Sequence, residues 1–357
     1  GGGMLGAGSL GGQPHYPGSM HAGNPPPPSS AFGGMGAAPS PAHRSQSFPP
    51  AAPHQPHGAL PPAPRTIRSG GSLLPTPEEI AAAAAEFGPE GFGGSSRPES
   101  NPLVEAERRN PVAPPPEDLR DKISFELNNL TPENTEVKAA TIRGLIDRPD
   151  TNSLAWFAHM LVVKRVAAES NFHPTYLGLA AAIRLKAFDR EVYARTLDNI
   201  LVLLKSARIR TSWSERSLLK NLGAWLGAIT LGRDKPLLQR DLDLKVLVRD
   251  AYAKGFLIAV IPFVTKVLDA TRHSTVFKMP NPWLRAQLQL LTEVYHMTSL
   301  KLNLKFEIEV LCKAIGVDLT EVRPTRVLEG SPVDRSGNFD FSSRTGPSQA
   351  SVLNAAA

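Results

Sequence analysis

Cysteine is almost missing from this 357-residue chain, which holds only Cys312. A single thiol excludes an internal disulfide framework and any zinc site built on two cysteine ligands. Cys312 follows Val310-Leu311 in a helical apolar pattern, which predicts a buried core thiol and fits an intracellular location. Aromatics are sparse, and all four tryptophans (Trp156, Trp213, Trp225, Trp283) fall between residues 117 and 328. No apolar run reaches about 18 residues, so no membrane-spanning helix is expected. The N-terminal Gly-Gly-Gly-Met-Leu-Gly lacks the basic stretch and apolar run of a secretory leader. The chain starts at Gly1 rather than a methionine, and a piece of a longer protein is expected.

Catalytic signatures are missing as well. There is no phosphate-cradling G-x-x-x-x-G-K-[ST] loop, no G-x-S-x-G elbow and no H-E-x-x-H pair. Of nine histidines, five (His15, His21, His43, His54, His57) sit in the Pro/Gly-rich first part. The others are His159, His173, His273 and His296, and none stands three or four residues from a second His or Cys, as a helical metal pair requires. His159 is read as a core or helix-face residue. Glu307 and Glu309 are two apart on a helix and diverge, and Asp241 and Asp243 flank a helix start, where acids suit the dipole. No enzyme, cofactor or metal is expected.

What is present divides into three parts. Residues 1–116 are rich in Pro, Gly, Ala, Ser and His, too poor in apolar surface to offset the entropy of ordering, and are expected to be a disordered linker. Within them Thr76-Pro77-Glu78-Glu79 predicts a short helix near 77–87, with Thr at the N-cap and Pro at the first turn. From Glu117 the apolar residues recur with a period of 3.6, and about ten helices of 12–20 residues follow to Leu328. Thr131-Pro132, Asp150-Thr151 and Asn281-Pro282 read as helix starts, and Gly316 as a helix stop. The sixth helix, 214–231, carries a stripe of Leu218, Leu219, Leu222, Leu226 and Ile229. Paired helices of about 40 residues predict an all-α, HEAT-like solenoid of about five repeats. Residues 329–357 turn to Gly, Ser, Asp and Arg and are expected to form a disordered tail.

The chain carries a net +6, and residues 117–328 hold 31 Lys and Arg against 23 Asp and Glu. That excess suits an acidic partner, protein or nucleic acid, but equally an ordinary solvated surface. Two surface candidates stand out. One gathers Lys164-Arg165, Phe172-His173 and the i,i+4 pair Arg216 and Lys220 into a basic, aromatic-edged face; Phe172 in the core is the competing reading. The other is Pro280-Asn281-Pro282-Trp283, either a helix cap with a packed Trp or an interface anchor.

Several blocks carry a resemblance. They are Ser217–Gly223 with Trp225-Leu226-Gly227 and Ile229–Leu231, then Asp241-Leu242-Asp243, Pro262-Phe263-Val264, Asn281-Pro282-Trp283, and Leu302–Lys313. In this order, across about 117–328, they resemble the central domain of the Not-one family, the scaffold subunits of the CCR-NOT mRNA deadenylase complex. The resemblance implies a fold like the middle domain of translation initiation factor four-G. It implies a non-catalytic scaffold that docks the Caf-one (Pop-two) deadenylase and a DEAD-box helicase of the decapping-activator type, promoting poly(A) shortening, mRNA decay and translational repression. By that likeness helicase binding falls on a concave face with Arg165, Phe172, His173, Arg216 and Lys220. Deadenylase binding is assigned to Pro262, Phe263, Asn281, Pro282 and Trp283. Other CCR-NOT subunits would bind regions outside this chain, and residence in cytoplasm, processing bodies and nucleus is implied. Long low-complexity linkers of fungal members suggest a filamentous fungus. A factor-four-G-like adaptor in initiation or mRNA surveillance, or a direct RNA-binding module, remains open.

Overall fold

Apolar residues one helical turn apart fix each helix against its neighbours, and α2 shows the rule. It spans Glu117–Asn128 and buries Leu119, Ile123 and Leu127 at i, i+4 and i+8. The computed structural model describes residues 72–76, 78–82, 101–109, 111–148, 151–331, 333 and 338–341. In chain order the remaining helices are α1 (Pro102–Arg109), α3 (Thr135–Ile146), α4 (Ser153–Met160), α5 (His173–Ile183), α6 (Lys186–Leu204), α7 (Trp213–Ile229), α8 (Leu244–Lys254), α9 (Leu257–Asp269), α10 (Pro282–Tyr295) and α11 (Leu302–Ala314). Helices α2 to α11 follow one another as five pairs, and most of them pack on their partner and on the next helix but one. The second helices, α3, α5, α7, α9 and α11, form one continuous layer. This is the expected all-α solenoid of five repeats.

The α7–α9 contact is the tightest in that layer, and glycine makes it possible. A Cβ on Gly223 would lie 2.8 Å from the Phe263 ring, and one on Gly227 2.3 Å from the carbonyl oxygen of Val267. Leu219, Leu222, Trp225 and Leu226 are fully buried beside these glycines. In the other layer Phe157 of α4 stacks on Phe188 of α6, with centroids 5.3 Å apart. Cys312 is buried, as expected. Gly316 takes φ 70° and closes α11, with Val317 N donating to Cys312 O at 2.9 Å.

Three boundaries differ from the sequence reading. Helix α3 starts at Thr135 rather than at Pro132, because Asn134 ties the preceding turn together. Its Oδ1 accepts from Thr131 N (2.8 Å) and its Nδ2 donates to Asn129 O (2.8 Å). The packed unit also extends past the expected 117–328. Helix α1 packs on α6 with Leu103 fully buried. Leu73, Leu74, Asp340 and Phe341 are buried as well. Pro-rich and polar composition hides such segments, since each needs only one or two apolar anchors. Of the helix expected at 77–87, residues 78–82 are helical and 83–87 lie outside the described residues, as does most of the two expected tails. Among the described residues no helix is long and apolar enough to cross a membrane.

Candidate functional site

Helix α4 runs into a six-residue π-helical segment, Leu161–Val166, whose Ala167 N reaches back to Val162 O at 3.0 Å. Such wide turns re-aim side chains. Here Leu161, Val162, Val163 and Val166 are buried while Lys164 and Arg165 face outward. Arg165 donates from Nη1 to Glu169 Oε1 (2.9 Å) and from Nη2 to Asn128 Oδ1. The Tyr176 hydroxyl donates to the other Glu169 oxygen, so Asn128, Arg165, Glu169 and Tyr176 form one chain of side chains across the α4–α5 junction. Burial and Glu169 push the Tyr176 phenol well above its ordinary range, which keeps it a proton donor.

Phe172 and His173, adjacent in sequence, have opposite surroundings. Phe172 is 54% exposed, at the rim of that junction and 6.3 Å from the Tyr176 ring. His173 is buried: its Nε2 hydrogen-bonds the Val166 carbonyl at 2.9 Å, and its ring meets Trp225 edge-on at 5.5 Å. Burial lowers its pKa, so the ring is neutral and Nε2–H is the donor. His173 therefore positions the junction and offers no surface for a partner, which corrects its assignment as a contact residue.

Helix α7 supplies the other half of this face. Arg216 donates from Nη1 to Arg210 O (2.9 Å) and Ile209 O (3.3 Å), closing the loop before its own helix. The Lys220 ammonium pairs with Glu307 of α11, reaching past α9. Asn221 Nδ2 donates to Ala167 O at 2.8 Å and fastens α7 to the end of the π segment. Lys164 pairs with Glu107 of α1. The cations expected to make one open basic patch are thus each held by a local acceptor. That arrangement suits a protein partner that trades ion pairs better than a phosphate backbone seeking unpaired cations.

The second group of expected residues separates in the same way. Phe263 is fully buried against Gly223, so it shapes the α7–α9 contact and cannot touch a partner. Pro262 sits inside α9, half-buried. Asn281 is the N-cap of α10, its Oδ1 accepting from Trp283 N (2.9 Å) and Leu284 N (3.2 Å). Pro282 is exposed and Trp283 half-exposed, its ring edge-on to Phe277 at 5.7 Å. The loop before them adds what the sequence reading missed: Val276 and Met279 are exposed. Asp234 holds this loop, accepting from Thr275 N (2.9 Å) and Val276 N (3.1 Å) and from the hydroxyls of Ser274 and Thr275. These hydrogen bonds keep the Asp234 carboxyl far below its usual range. Residues 276–283 form an apolar ridge on a rigid base.

A third feature was also missed. Leu302, Phe306 and Val310 of α11 are 66%, 55% and 59% exposed at i, i+4 and i+8, opposite the buried Leu304, Ile308 and Leu311. Apolar residues at both helical faces are already visible in the sequence Leu302–Lys313.

A cleft of about 240 Å³ opens between the first turns of α6 and the α7–α8 connection, lined by Arg190, Tyr193, Arg233, Lys235, Leu238 and Asp241. Tyr193 donates to Asp241 Oδ2 (2.8 Å) there, and burial with that carboxylate raises its pKa, so no base is produced. His159, buried as expected, lies 3.6 Å from Glu107. Among the described residues no group of three or more His, Cys, Asp or Glu is placed to hold a metal.

A stacked helical-hairpin array with exposed apolar ridges defines the chain as a scaffold-type solenoid. More particularly, it belongs to the family described as the CCR4-NOT transcription complex subunit 1 CAF1-binding domain, whose model matches residues 111–337. Among curated relatives, the Caenorhabditis elegans CCR4-NOT transcription complex subunit let-711 is 42% identical over 224 residues, 61% of this chain and 8% of the relative. The general negative regulator of transcription subunit 1 of Schizosaccharomyces pombe is 36% identical over 220 residues, 62% of this chain and 10% of the relative. Its namesake in Saccharomyces cerevisiae is 32% identical over 213 residues, 60% of this chain and 10% of the relative. The chain thus spans a tenth or less of these relatives' length.

Proposed function

We propose that the chain is a non-catalytic scaffold segment of a CCR4-NOT complex that docks a Caf1-type deadenylase on the 276–283 ridge. The family match carries the partner, and the exposed Val276, Met279 and Pro282 beside the half-buried Trp283, on an Asp234-held base, carry the place. Such a ridge offers apolar anchors with little ordering entropy left to lose. Holding a nuclease on an array joined to the rest of a messenger-bound complex raises its effective concentration at the poly(A) tail, which promotes shortening, decay and repression. Residence in the cytoplasm, its processing bodies and the nucleus follows from that role.

A DEAD-box helicase is assigned to the face around Phe172, Arg165, Arg216 and Lys220. The exposed Phe172 and the exchangeable Arg165–Glu169 and Lys220–Glu307 pairs support this. Further CCR4-NOT subunits would bind outside this chain. The test is binding of the purified full chain to each partner, with Met279→Asp/Trp283→Ala and Phe172→Ala/Arg165→Ala variants. The proposal expects the first variant to lose only the nuclease and the second only the helicase. Nuclease binding that survives the first variant but fails with Phe306→Asp would move the site to α11. Steep salt-dependent binding of poly(A) by the wild type would favour the RNA-binding reading.

A further inference from the structure

The turn between α8 and α9 is covered by the chain itself. Leu73, Leu74 and Pro75 are buried, although they precede the family's matched region. Lys254, the last residue of α8, donates from Nζ to Ser72 Oγ (2.7 Å) and to the Leu74 carbonyl (2.9 Å). With the turn in which Ser72 Oγ accepts from Leu74 N (3.2 Å), those two bonds fix the register of a bent Leu73-Leu74-Pro75 segment. Pro75 and Ile80 then line a small cavity with Arg210, Lys254 and Phe256.

The next turn is locked by its own sequence. Thr76 Oγ1 accepts from Glu79 N (3.2 Å), and Glu79 Oε2 accepts from Thr76 N (2.6 Å), a reciprocal capping box. The Thr76 hydrogen bonds hold the Glu79 carboxyl below its usual pKa, and the charges of Lys254 and Lys205 add to this. An acidic helix start therefore faces a basic rim. Apolar anchors, a side chain reading backbone carbonyls and complementary charge are the features by which grooves take linear peptides.

We infer that the α8–α9 turn, with Arg210, Lys254 and Phe256, is a peptide-docking groove whose occupant is this chain's own upstream segment, seated through Ser72–Pro75 and Ile80. The segment is joined to α1 through residues 83–100, so its binding is intramolecular. Short tethers set effective concentrations on the order of millimolar, far above a micromolar competitor. The groove is closed to free peptide until that segment is removed.

The test is a fluorescence-anisotropy titration of a labelled peptide of residues 70–86 into the full chain. Wild type is expected to show no saturable binding. The Leu73→Asp/Leu74→Asp variant empties the groove and binds the peptide saturably. Adding Lys254→Glu removes two charge-assisted hydrogen bonds and weakens that binding by about tenfold or more. Equal binding to wild type and the Leu73/Leu74 variant, or no binding to that variant with its helical circular dichroism intact, overturns the inference. Should the variant not fold, Lys254→Ala in the wild type is measured by hydrogen exchange. Faster exchange at 74–80 with α2 unchanged supports the inference, and unchanged exchange at 74–80 overturns it.

Discussion

Gly227 lies against the backbone of Val267, so close that a Cβ there would come within 2.3 Å of the Val267 carbonyl oxygen. Backbone cannot swing aside as a side chain can. Gly227→Ala should therefore push α7 from α9 and destabilise the chain by about 3 kcal/mol, the upper end for overpacking. Urea unfolding followed by circular dichroism reads this directly. A midpoint equal to wild type would mean the two helices slide freely.

Phe172→Ala and His173→Ala should behave in opposite ways. Phe172 is exposed, so its removal changes stability by within about 0.5 kcal/mol. His173→Ala leaves a cavity beside Trp225 and an unpaired Val166 carbonyl, costing about 2 kcal/mol. Comparing melting temperatures separates the contact residue from the positioning residue before any partner is added.

Asp340 should give a pH signature. Its buried carboxylate accepts from Leu257 N (3.0 Å) and Ile258 N (2.8 Å) at the start of α9. Burial nevertheless pushes its pKa up to about 6, from an ordinary 3.8. The folded state then holds this proton more tightly than the unfolded one. Its contribution to stability is full below the unfolded value and declines as pH rises through about 6. The melting-temperature advantage of wild type over Asp340→Asn is expected to be larger at acid pH, near the unfolded value, than at neutral pH. A difference independent of pH would contradict the burial of this group.

Cys312 should resist thiol reagents. Burial pushes its pKa up to about 11, so the reactive thiolate is scarce, and the packed helix bars access. Iodoacetamide labelling is expected only after denaturation, rising in step with unfolding by circular dichroism.

The helices were legible in the sequence because each carries its own stripe, as Leu219, Leu222 and Leu226 do on α7. Their starts were less so. Thr131-Pro132 is a good cap pair, yet Asn134 captured the turn and delayed α3. The site was legible only as residues near one another in the chain. Phe172 ends a 3-10 turn and His173 starts α5, and this local break, which the sequence pattern does not mark, decides that Phe172 is exposed and His173 buried. Phe263 sat in a block of likeness but was drawn into the core by the missing side chain at Gly223. The i,i+4 glycines of α7 were the available signal for that contact. The flanking segments left almost no signal, because Leu73-Leu74 and Asp340-Phe341 are single anchors in polar surroundings.

Those two flanks have a mechanical consequence. Ser72 and Leu74 are held by Lys254, while Asp340 is held by Leu257 and Ile258, so the segments on either side of the array are fastened within five residues of each other. Folded domains with adjacent ends can be spliced into a longer chain without lengthening it. A pull on that chain is borne at the α8–α9 turn and leaves the other four hairpins slack. Whatever the array carries hangs to one side like a pendant, keeping its own geometry however far the rest of the polypeptide is stretched.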